Sequence, residues 1–158
     1  MTAPRHRIIG ILEDIRSLYN VGSCFRTADA MLMQELILTG YTPTPPRPDI
    51  DKTALGATAS VPWSSEQQTV VVIERLRRSG WRVLALEIAE GALSLERLAE
   101  VKGPIAFVVG NELTGVRPET LAACDGAIEI PMYGAKHSLN VAVAFGIAAW
   151  EGIRGSDR

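Results

Sequence analysis

Patterns typical of short strands alternate with patterns typical of helices along the whole chain, and this alternation constrains the fold more than any other feature. Strands are predicted at residues 8–12, 35–39, 81–88, 104–109 and 127–130. Helices are predicted at residues 20–33, 51–55, 65–79, 94–100, 118–123 and 138–153. The run at 104–109 is almost continuously apolar, as expected of a central strand that is covered on both faces. The sequence therefore predicts an α/β fold with a mostly parallel sheet flanked by helices.

Length and composition are those of one globular domain over residues 1–158. The chain is 47% hydrophobic and has a net charge of −2, without the basic excess of a general nucleic-acid-binding protein. It contains neither a signal-peptide pattern nor a run of roughly 18 apolar residues, so we expect a cytoplasmic protein without membrane contact. Its two cysteines and two histidines are not at ligand spacing, so we expect no metal site.

The last predicted helix has almost no polar residue over its first three turns. Its apolar residues are Leu139, Val141, Ala142, Val143, Ala144, Phe145, Ile147, Ala148 and Trp150. A helix that is apolar all round is buried on all sides, and in a domain of this size one side must meet something beyond its own sheet. We therefore expect a homodimer through the C-terminal helix, with Ala144, Gly146 and Ala148 allowing close approach.

Three polar, glycine-bearing runs lie near predicted strand–helix junctions, where open α/β sheets build ligand sites. The first is Asn20-Val-Gly-Ser-Cys-Phe-Arg-Thr. Asn20 suits the N-cap of the following helix, and Gly22 permits close approach of a ligand or of backbone. Arg26 lies opposite the apolar face of this helix, and residue type alone favours a surface ion pair over a catalytic role for it.

The second run, Val-Val-Gly-Asn-Glu-Leu-Thr-Gly over residues 108–115, follows a predicted strand. Gly110 and Gly115 have the glycine spacing of a phosphate-binding Walker loop, but Val116 and Arg117 stand where that loop needs Lys and Ser or Thr, which excludes it. The backbone N–H groups of such a turn are available to a ligand. The alternative is a plain turn with a solvated Glu112.

The third run, Ile-Pro-Met-Tyr-Gly-Ala-Lys-His-Ser-Leu-Asn over residues 130–140, leads from a strand into the last helix. A loop followed by a capped core helix would explain Ser138 as the cap. It would leave Asn140, on the expected buried side, without an explanation.

Together these runs closely resemble the three motifs of the SpoU (TrmH-like) RNA 2′-O-ribose methyltransferases. The family motifs are Asn-x-Gly-x-x-Arg-Thr, Val-x-Gly-x-Glu-x-x-Gly and Ile-Pro-Met-x-Gly-x-x-x-Ser-Leu-Asn-Val-x-x-Ala, and they match residues 20–27, 108–115 and 130–144. Their order and spacing are those of the family. The resemblance implies the SPOUT fold, with a deep trefoil knot in the C-terminal half, and a minimal domain without the appended RNA-binding domain of many relatives.

The resemblance also implies the cofactor, S-adenosyl-L-methionine, and the reaction, transfer of its methyl group to a ribose 2′-hydroxyl of RNA. The cofactor contacts that it implies are Leu86, Gly110, Ile130, Met132, Ser138 and Leu139, and the catalytic residues are Arg26, Asn20, Glu112, Ser138 and Asn140. Enzymes of this family are dimers whose active site draws on both subunits, which agrees with the apolar last helix.

An arginine is a poor general base, because its pKa is above about 12. We therefore expect Arg26 to stabilise negative charge that develops on the 2′-oxygen and to hold the adjacent phosphate. The remaining catalytic residues would orient the ribose and Arg26. His137 falls at a variable position of the third motif and is not expected to be the base.

The substrate is less constrained than the reaction. Transfer RNA is favoured, because minimal relatives without extra domains tend to act on it. The alternatives are ribosomal RNA, a base methyltransferase of the same fold and a catalytically silent SPOUT RNA-binding module, and an unidentified partner protein could supply RNA recognition. The basic residues that could contact phosphate, if they are more than solvated surface, are Arg5, Arg7, Arg47, Arg75, Arg77, Arg78 and Arg82.

Overall fold

The computed structural model describes residues 3–154, and its centre is one sheet of seven strands. The strands are β1 (His6–Glu13), β2 (Met33–Thr39), β3 (Trp63–Glu66), β4 (Arg82–Leu86), β5 (Leu93–Ser94), β6 (Ile105–Val109) and β7 (Gly126–Glu129). Their order across the sheet is β3-β2-β1-β6-β4-β7-β5, and every pair of neighbours is parallel. The expected α/β class with a parallel sheet is confirmed, while the deep trefoil knot stays a prediction.

Helices cover both faces of this sheet. They are α1 (Leu18–Ala30), α2 (Pro48–Ala54), α3 (Ala57–Ser60), α4 (Thr69–Arg78), α5 (Pro118–Ala123) and α6 (Val141–Arg154), with a 3-10 helix at Leu95–Glu100. On one face pack α1, α2, α3, α6 and the 3-10 helix, and on the other pack α4 and α5. Successive residues of a strand face opposite sides, so in β6 Phe107 belongs to the first core and Val108 to the second. None of the helices within residues 3–154 has the length and apolar composition needed to cross a membrane.

The two edge strands differ from the sequence predictions. β3 lies where the start of a helix is predicted at 65–79, and that helix, α4, begins at Thr69. β5 lies where no strand is predicted. Edge strands are partly exposed and lack the apolar run of a central strand, so their sequence carries no clear strand pattern. Contacts with other elements hold β3 in place. The hydroxyl of Ser64 donates to Glu35 at 2.7 Å, and the ring of Trp63 packs edge-on against Phe25.

Helix α6 is buried on one face only. Phe145, Ala148 and Ala149 are fully buried within the chain, and the helix packs against α1, β1, β6 and the 3-10 helix. Ala148 belongs to the core of its own chain, so the expectation that it lies in the interface of a homodimer is wrong. The opposite face exposes a stripe of large apolar residues, with Val143 at 52% and Trp150 at 55%. That stripe consists of Val143, Ile147 and Trp150, and Leu139, which is also exposed, lies two residues before the helix.

Candidate active site

The carboxyl ends of β4, β6 and β7 lie side by side, and the segments that follow them enclose a cavity of about 290 Å³. Ligand sites of open α/β sheets form at this edge. Leu86 ends β4, Gly110 follows β6 and Ile130 follows β7, so the common direction of the strands brings the three together. All of the residues expected to contact the cofactor line the cavity: Leu86, Gly110, Ile130, Met132, Ser138 and Leu139.

The loop after β6 folds back on itself at the mouth of the cavity. The backbone N–H groups of Asn111 and Gly115 donate to each other's carbonyl oxygens at 3.1 and 2.9 Å. A Cβ atom on Gly110 would overlap the backbone of Gly115, so this close approach requires a glycine. The turn holds Glu112 at its tip.

Glu112 contacts the start of α1. Its Oε1 accepts a hydrogen bond from the backbone N–H of Arg16 at 2.9 Å, and its Oε2 accepts from the N–H of Ser17 at 2.9 Å and from Nδ2 of Asn20 at 3.1 Å. Partial burial acts to raise the pKa of Glu112, but these donors outweigh it and hold the pKa below the ordinary value of 4.5. Glu112 is therefore an ionised anchor at neutral pH and a poor proton acceptor.

Asn20 connects this carboxylate to the third motif. Its Oδ1 accepts a hydrogen bond from Nδ2 of Asn140 at 3.2 Å. Asn140 in turn accepts through its Oδ1 from the backbone N–H groups of Ala142 and Val143, at 2.9 and 3.2 Å. The three polar runs singled out in the sequence thus meet through one chain of side-chain hydrogen bonds.

The predicted cap at Asn20 is wrong, and so is the cap at Ser138 that the alternative interpretation of the third run required. Helix α1 begins earlier than predicted, and Ser17 is its N-cap, with Oγ accepting from the backbone N–H of Asn20 at 3.2 Å. Asn140 rather than Ser138 caps α6, and Asn140 is exposed rather than on a buried side. Because neither expected cap is used, the Asn20 side chain can join Glu112 to Asn140, and Ser138 lies in the cavity wall.

Arg26 stands apart from this network. It lies on the exposed side of α1, six residues beyond Asn20, which is a rise of about 9 Å along the helix. Within residues 3–154 its guanidinium makes neither a hydrogen bond nor an ion pair, so the surface ion pair suggested by residue type is not observed. It does not line the cavity of its own chain. All of its donors are therefore available to a ligand.

Residues 7–150, which contain all three motifs, match the model of the SpoU rRNA Methylase family. The chain belongs to this family.

Curated and solved relatives of this SpoU chain are described as RNA-modifying enzymes. The 23S rRNA (guanosine-2'-O-)-methyltransferase RlmB of Ralstonia nicotianae is 33% identical over 145 residues, which cover 91% of this chain and 57% of that protein. An AdoMet-bound rRNA methyltransferase from Sinorhizobium meliloti has a TM-score of 0.86 at 25% identity, covering 98% of this chain and 61% of that one. A structure described for the 2-OH methylation of C/U34 on tRNA has a TM-score of 0.82 at 30% identity, covering 94% of this chain and 95% of that one. The chain therefore spans little more than half the length of its curated relatives.

Several supporting residues of the SpoU site lie outside the three motifs. Glu13 and Asp14 end β1 as buried carboxylates. Glu13 accepts hydrogen bonds from the backbone N–H of Arg117 at 2.9 Å and from the hydroxyl of Thr120 at 2.5 Å, and Asp14 pairs with the guanidinium of Arg117. They attach the segment after the second motif to the end of β1. The sequence feature that could have revealed them is a pair of carboxylates, Glu13 and Asp14, directly after the predicted strand at 8–12.

Asn111 is a further residue that sequence reasoning missed, at a variable position of the second motif. Its Nδ2 donates to the carbonyl of Asp14 at 2.9 Å and to the hydroxyl of Tyr41 at 2.8 Å. Its Oδ1 accepts from the backbone N–H groups of Leu113 and Thr114 at 2.8 and 3.0 Å. The buried amide therefore holds the second-motif loop against the end of β1.

The charged residues in the lining of the SpoU cavity are all acidic. Glu87 and Glu129 join Glu112 in its wall, and His137 also lines it. Glu87 additionally accepts from the backbone N–H of Val116 at 2.9 Å, which closes the second-motif loop. Among residues 3–154, no three His, Cys, Asp or Glu side chains come together as a metal site.

Proposed function

We propose that this chain is an S-adenosyl-L-methionine-dependent methyltransferase that acts on a ribose 2′-hydroxyl of RNA. The observation that carries the proposal is the cavity at the carboxyl edge of β4, β6 and β7, because the residues expected to hold the cofactor all line it. Its relatives support the proposal, since the Ralstonia protein is named for guanosine 2′-O-methylation and the Sinorhizobium structure contains AdoMet.

The cavity lining fits the chemistry of this cofactor. Leu86, Val109 and Ile130 provide apolar walls for a flat base, while Glu87 and Glu129 provide acceptors. Neither lysine nor arginine occurs among the described lining residues. S-adenosyl-L-methionine carries positive charge at its sulfur and ammonium groups and has two ribose hydroxyl donors, so an acidic lining complements it. The volume of about 290 Å³ is at the lower end of the usual range for small-molecule sites.

The bound cofactor supplies an electrophilic methyl group. Because a ribose hydroxyl is a weak nucleophile, the protein must assist loss of its proton or stabilise the charge on its oxygen. Glu112 is unsuited to be the base, since three donors engage its carboxylate and lower its pKa. Arg26 is proposed to stabilise charge on the 2′-oxygen and to hold the adjacent phosphate. Asn20, Ser138 and Asn140 are proposed to orient the ribose.

A second copy of the chain is proposed to complete the site. Arg26 does not line the cavity of its own chain, although its donors are free. Helix α6 adjoins the cavity, because its residues Val141 and Ala144 line it together with Leu139. An exposed apolar stripe such as that of α6 marks an interaction surface. A homodimer through α6 would cover it and is proposed to bring Arg26 of the partner subunit to the cavity.

Ribosomal RNA is the proposed substrate. The sequence expectation favoured tRNA, but the curated Ralstonia relative is named for 23S rRNA, which favours the alternative. Transfer RNA is the second candidate for one reason: the structure described for C/U34 of tRNA is matched over 95% of its length, whereas the Ralstonia relative is matched over 57%. Both RNAs occur in the cytoplasm, which is the proposed compartment.

Methyl transfer to separated RNA pools tests this proposal. The purified chain would be incubated with labelled S-adenosyl-L-methionine and with unmodified rRNA or tRNA, and Arg26→Ala would serve as the control. We expect label in rRNA that is lost in the variant. Label in tRNA alone would favour the second candidate. Cofactor binding without transfer to either pool would contradict the proposed activity of the chain alone and favour a silent RNA-binding module or a required partner protein.

A further inference from the structure

A second hollow, of about 460 Å³, lies at the edge of the sheet opposite the active-site cavity. Arg82 begins β4 and lines it, whereas Leu86 ends β4 and lines the cavity. At the usual rise of a strand, about 13 Å separates the two ends of β4. The second hollow, here called the basic pocket, is lined by Arg77, Arg78, Gly80, Trp81, Arg82, Lys102 and Asp125.

The basic pocket concentrates positive charge in a chain whose net charge is −2. Four of its lining side chains are cationic and one is a carboxylate. That carboxylate, Asp125, is already engaged: its Oδ1 pairs with Nε of Arg77 at 3.0 Å, and its Oδ2 accepts from the backbone N–H of Val83 at 2.8 Å. Over residues 3–154, the side chains of Arg82 and Lys102 make neither a hydrogen bond nor an ion pair. Arg78 pairs weakly with Glu74 at 3.9 Å. Two of the four positive charges, those of Arg82 and Lys102, are therefore uncompensated.

An aromatic ring brings a fifth cation to this edge. Trp81 is 8% exposed and forms part of the pocket wall. The guanidinium of Arg7 lies over its ring, 5.6 Å from the centroid, which is a cation–π contact. Arg7 is thus joined to arginines that are distant in sequence. Arg5, by contrast, donates to the carbonyls of Met33 and Ser60 and serves the fold.

Cations that lie close together repel one another, so the unpaired Arg82 and Lys102, next to further arginines, favour an anion with several negative charges. An RNA backbone presents such charges in a row, and it extends well beyond the nucleotide that is methylated. We propose that the basic pocket binds phosphodiester groups of the substrate RNA outside the target nucleotide. This inference rests on the proposed function, because an RNA substrate supplies the ligand. It assigns part of RNA recognition to this domain, at the edge remote from the cofactor cavity.

The test uses the salt dependence of RNA binding. The variant Arg82→Gln with Lys102→Gln removes two cations that hold no other part of the structure. The control, Arg97→Gln with Arg154→Gln, removes two exposed cations, each paired with a glutamate three residues away, outside the pocket. Dissociation constants for an rRNA fragment would be measured at several salt concentrations, together with cofactor affinity and melting temperature.

We expect the pocket variant to bind RNA several-fold more weakly and to lose about one unit of the log–log salt slope per phosphate contact removed. Cofactor affinity and melting temperature should not change, and the control should keep the wild-type slope. An unchanged affinity and slope in the pocket variant would overturn the inference. Binding to poly-L-glutamate would be measured as well. If the pocket variant lost this binding and kept its binding to RNA, the inference would also be overturned, because the occupant would then be an acidic protein.

Methyl transfer by the wild-type chain, measured in parallel, separates this inference from the proposed function. A chain that methylates RNA while the pocket variant keeps the wild-type slope overturns the inference alone. A reduced slope in a chain that transfers no methyl group supports the inference and contradicts the proposed activity.

Discussion

Oδ1 of Asn20 accepts a hydrogen bond from Nδ2 of Asn140 at 3.2 Å, although 120 positions separate the two residues in the sequence. Through its own Nδ2, Asn20 also donates to Glu112. One side-chain amide therefore joins the first helix to both loops that line the cavity. These hydrogen bonds bring polar residues from three distant parts of the sequence together beside the cavity.

Replacing Glu112 by Gln should lower the stability of the chain at neutral pH. The carboxylate accepts hydrogen bonds from the backbone N–H groups of Arg16 and Ser17 and from Asn20. A glutamine has an NH2 group in place of one carboxylate oxygen, so at least one of these three donors would lose its acceptor. We expect a loss of about 1 kcal/mol, because the side chain is partly exposed. Urea denaturation at pH 7 measures it, and Glu90→Gln, an exposed carboxylate on a loop, is the control.

The stability difference between the wild-type and Glu112→Gln proteins should depend on pH. The pKa of Glu112 in the fold is below the ordinary value of 4.5. Its contribution to stability is therefore present above 4.5 and is lost as the pH falls through the lowered pKa. The wild-type and Glu112→Gln proteins should converge in stability in acid. A difference that persists undiminished in acid would show that the carboxylate charge is not its source.

Replacing Gly110 by Ala should abolish cofactor binding. The new Cβ would overlap the backbone of Gly115, so the second-motif loop must move and the cavity wall must open. Isothermal titration with S-adenosyl-L-methionine measures the effect. The control is Gly126→Ala in β7, where a Cβ would meet only Leu84 at 3.8 Å. Wild-type affinity in Gly110→Ala would contradict the assignment of the cavity.

Replacing Arg26 should lower turnover without affecting the fold. Within residues 3–154 its guanidinium makes neither a hydrogen bond nor an ion pair, so melting temperature and cofactor affinity should stay at wild-type values. Loss of a charge-stabilising donor lowers kcat by about 10²–10³-fold, and Arg26→Lys should recover only part of it, because an ammonium lacks the planar two-point contact. Near-wild-type turnover of Arg26→Lys in single-turnover assays would contradict this role.

A mixing experiment extends the Arg26 prediction to the shared site. Arg26→Ala and Gly110→Ala damage different parts of one site. If each site draws Arg26 from the partner subunit, mixed dimers contain one intact site, and mixing the two inactive variants should restore activity. The absence of activity after subunit exchange would mean that each chain supplies its whole site.

Replacing Val143 by Glu should dissociate the proposed dimer. Val143 is 52% exposed in the apolar stripe of α6, and a charge there would be buried without a partner in a dimer. Light scattering over a range of concentrations measures the mass. Val71→Glu, at a valine that is 45% exposed on α4, should remain dimeric. A wild-type mass that stays monomeric at every concentration would contradict the homodimer.

The central elements could be predicted from the sequence, because their patterns are local. β6 is buried on both faces, and its apolar run predicts it to within one residue. Helix α5 has Pro118 in its first turn and spans its predicted residues. The edge strand β3 could not be predicted, since partly exposed residues such as Ser64 carry no strand pattern and are held by contacts with β2.

The residues that line the cavity were predictable from the sequence, and the hydrogen bonds among them were not. Family motifs named the lining of the cavity, but local capping rules assigned Asn20 and Ser138 to the wrong tasks. Helix α1 begins at Leu18, after the cap at Ser17. Asp14, between β1 and this cap, has a φ of 53°, and neighbouring residues do not reveal such a turn. Arg7, Arg77, Arg78 and Arg82 are among the arginines proposed from the sequence to contact phosphate. Their grouping with Lys102 could not be predicted, because Arg7 and Lys102 meet the other arginines only when β1, β4 and β6 align.

The chemical position of the transferred methyl group tests the central claim most directly. RNA methylated by the chain with isotopically labelled S-adenosyl-L-methionine would be digested to nucleosides and fragmented in a mass spectrometer. The account predicts label in the ribose fragment, an unlabelled base, and resistance of the adjacent linkage to alkali. Label in the base, with an alkali-sensitive linkage, would contradict a ribose 2′-O-methyltransferase.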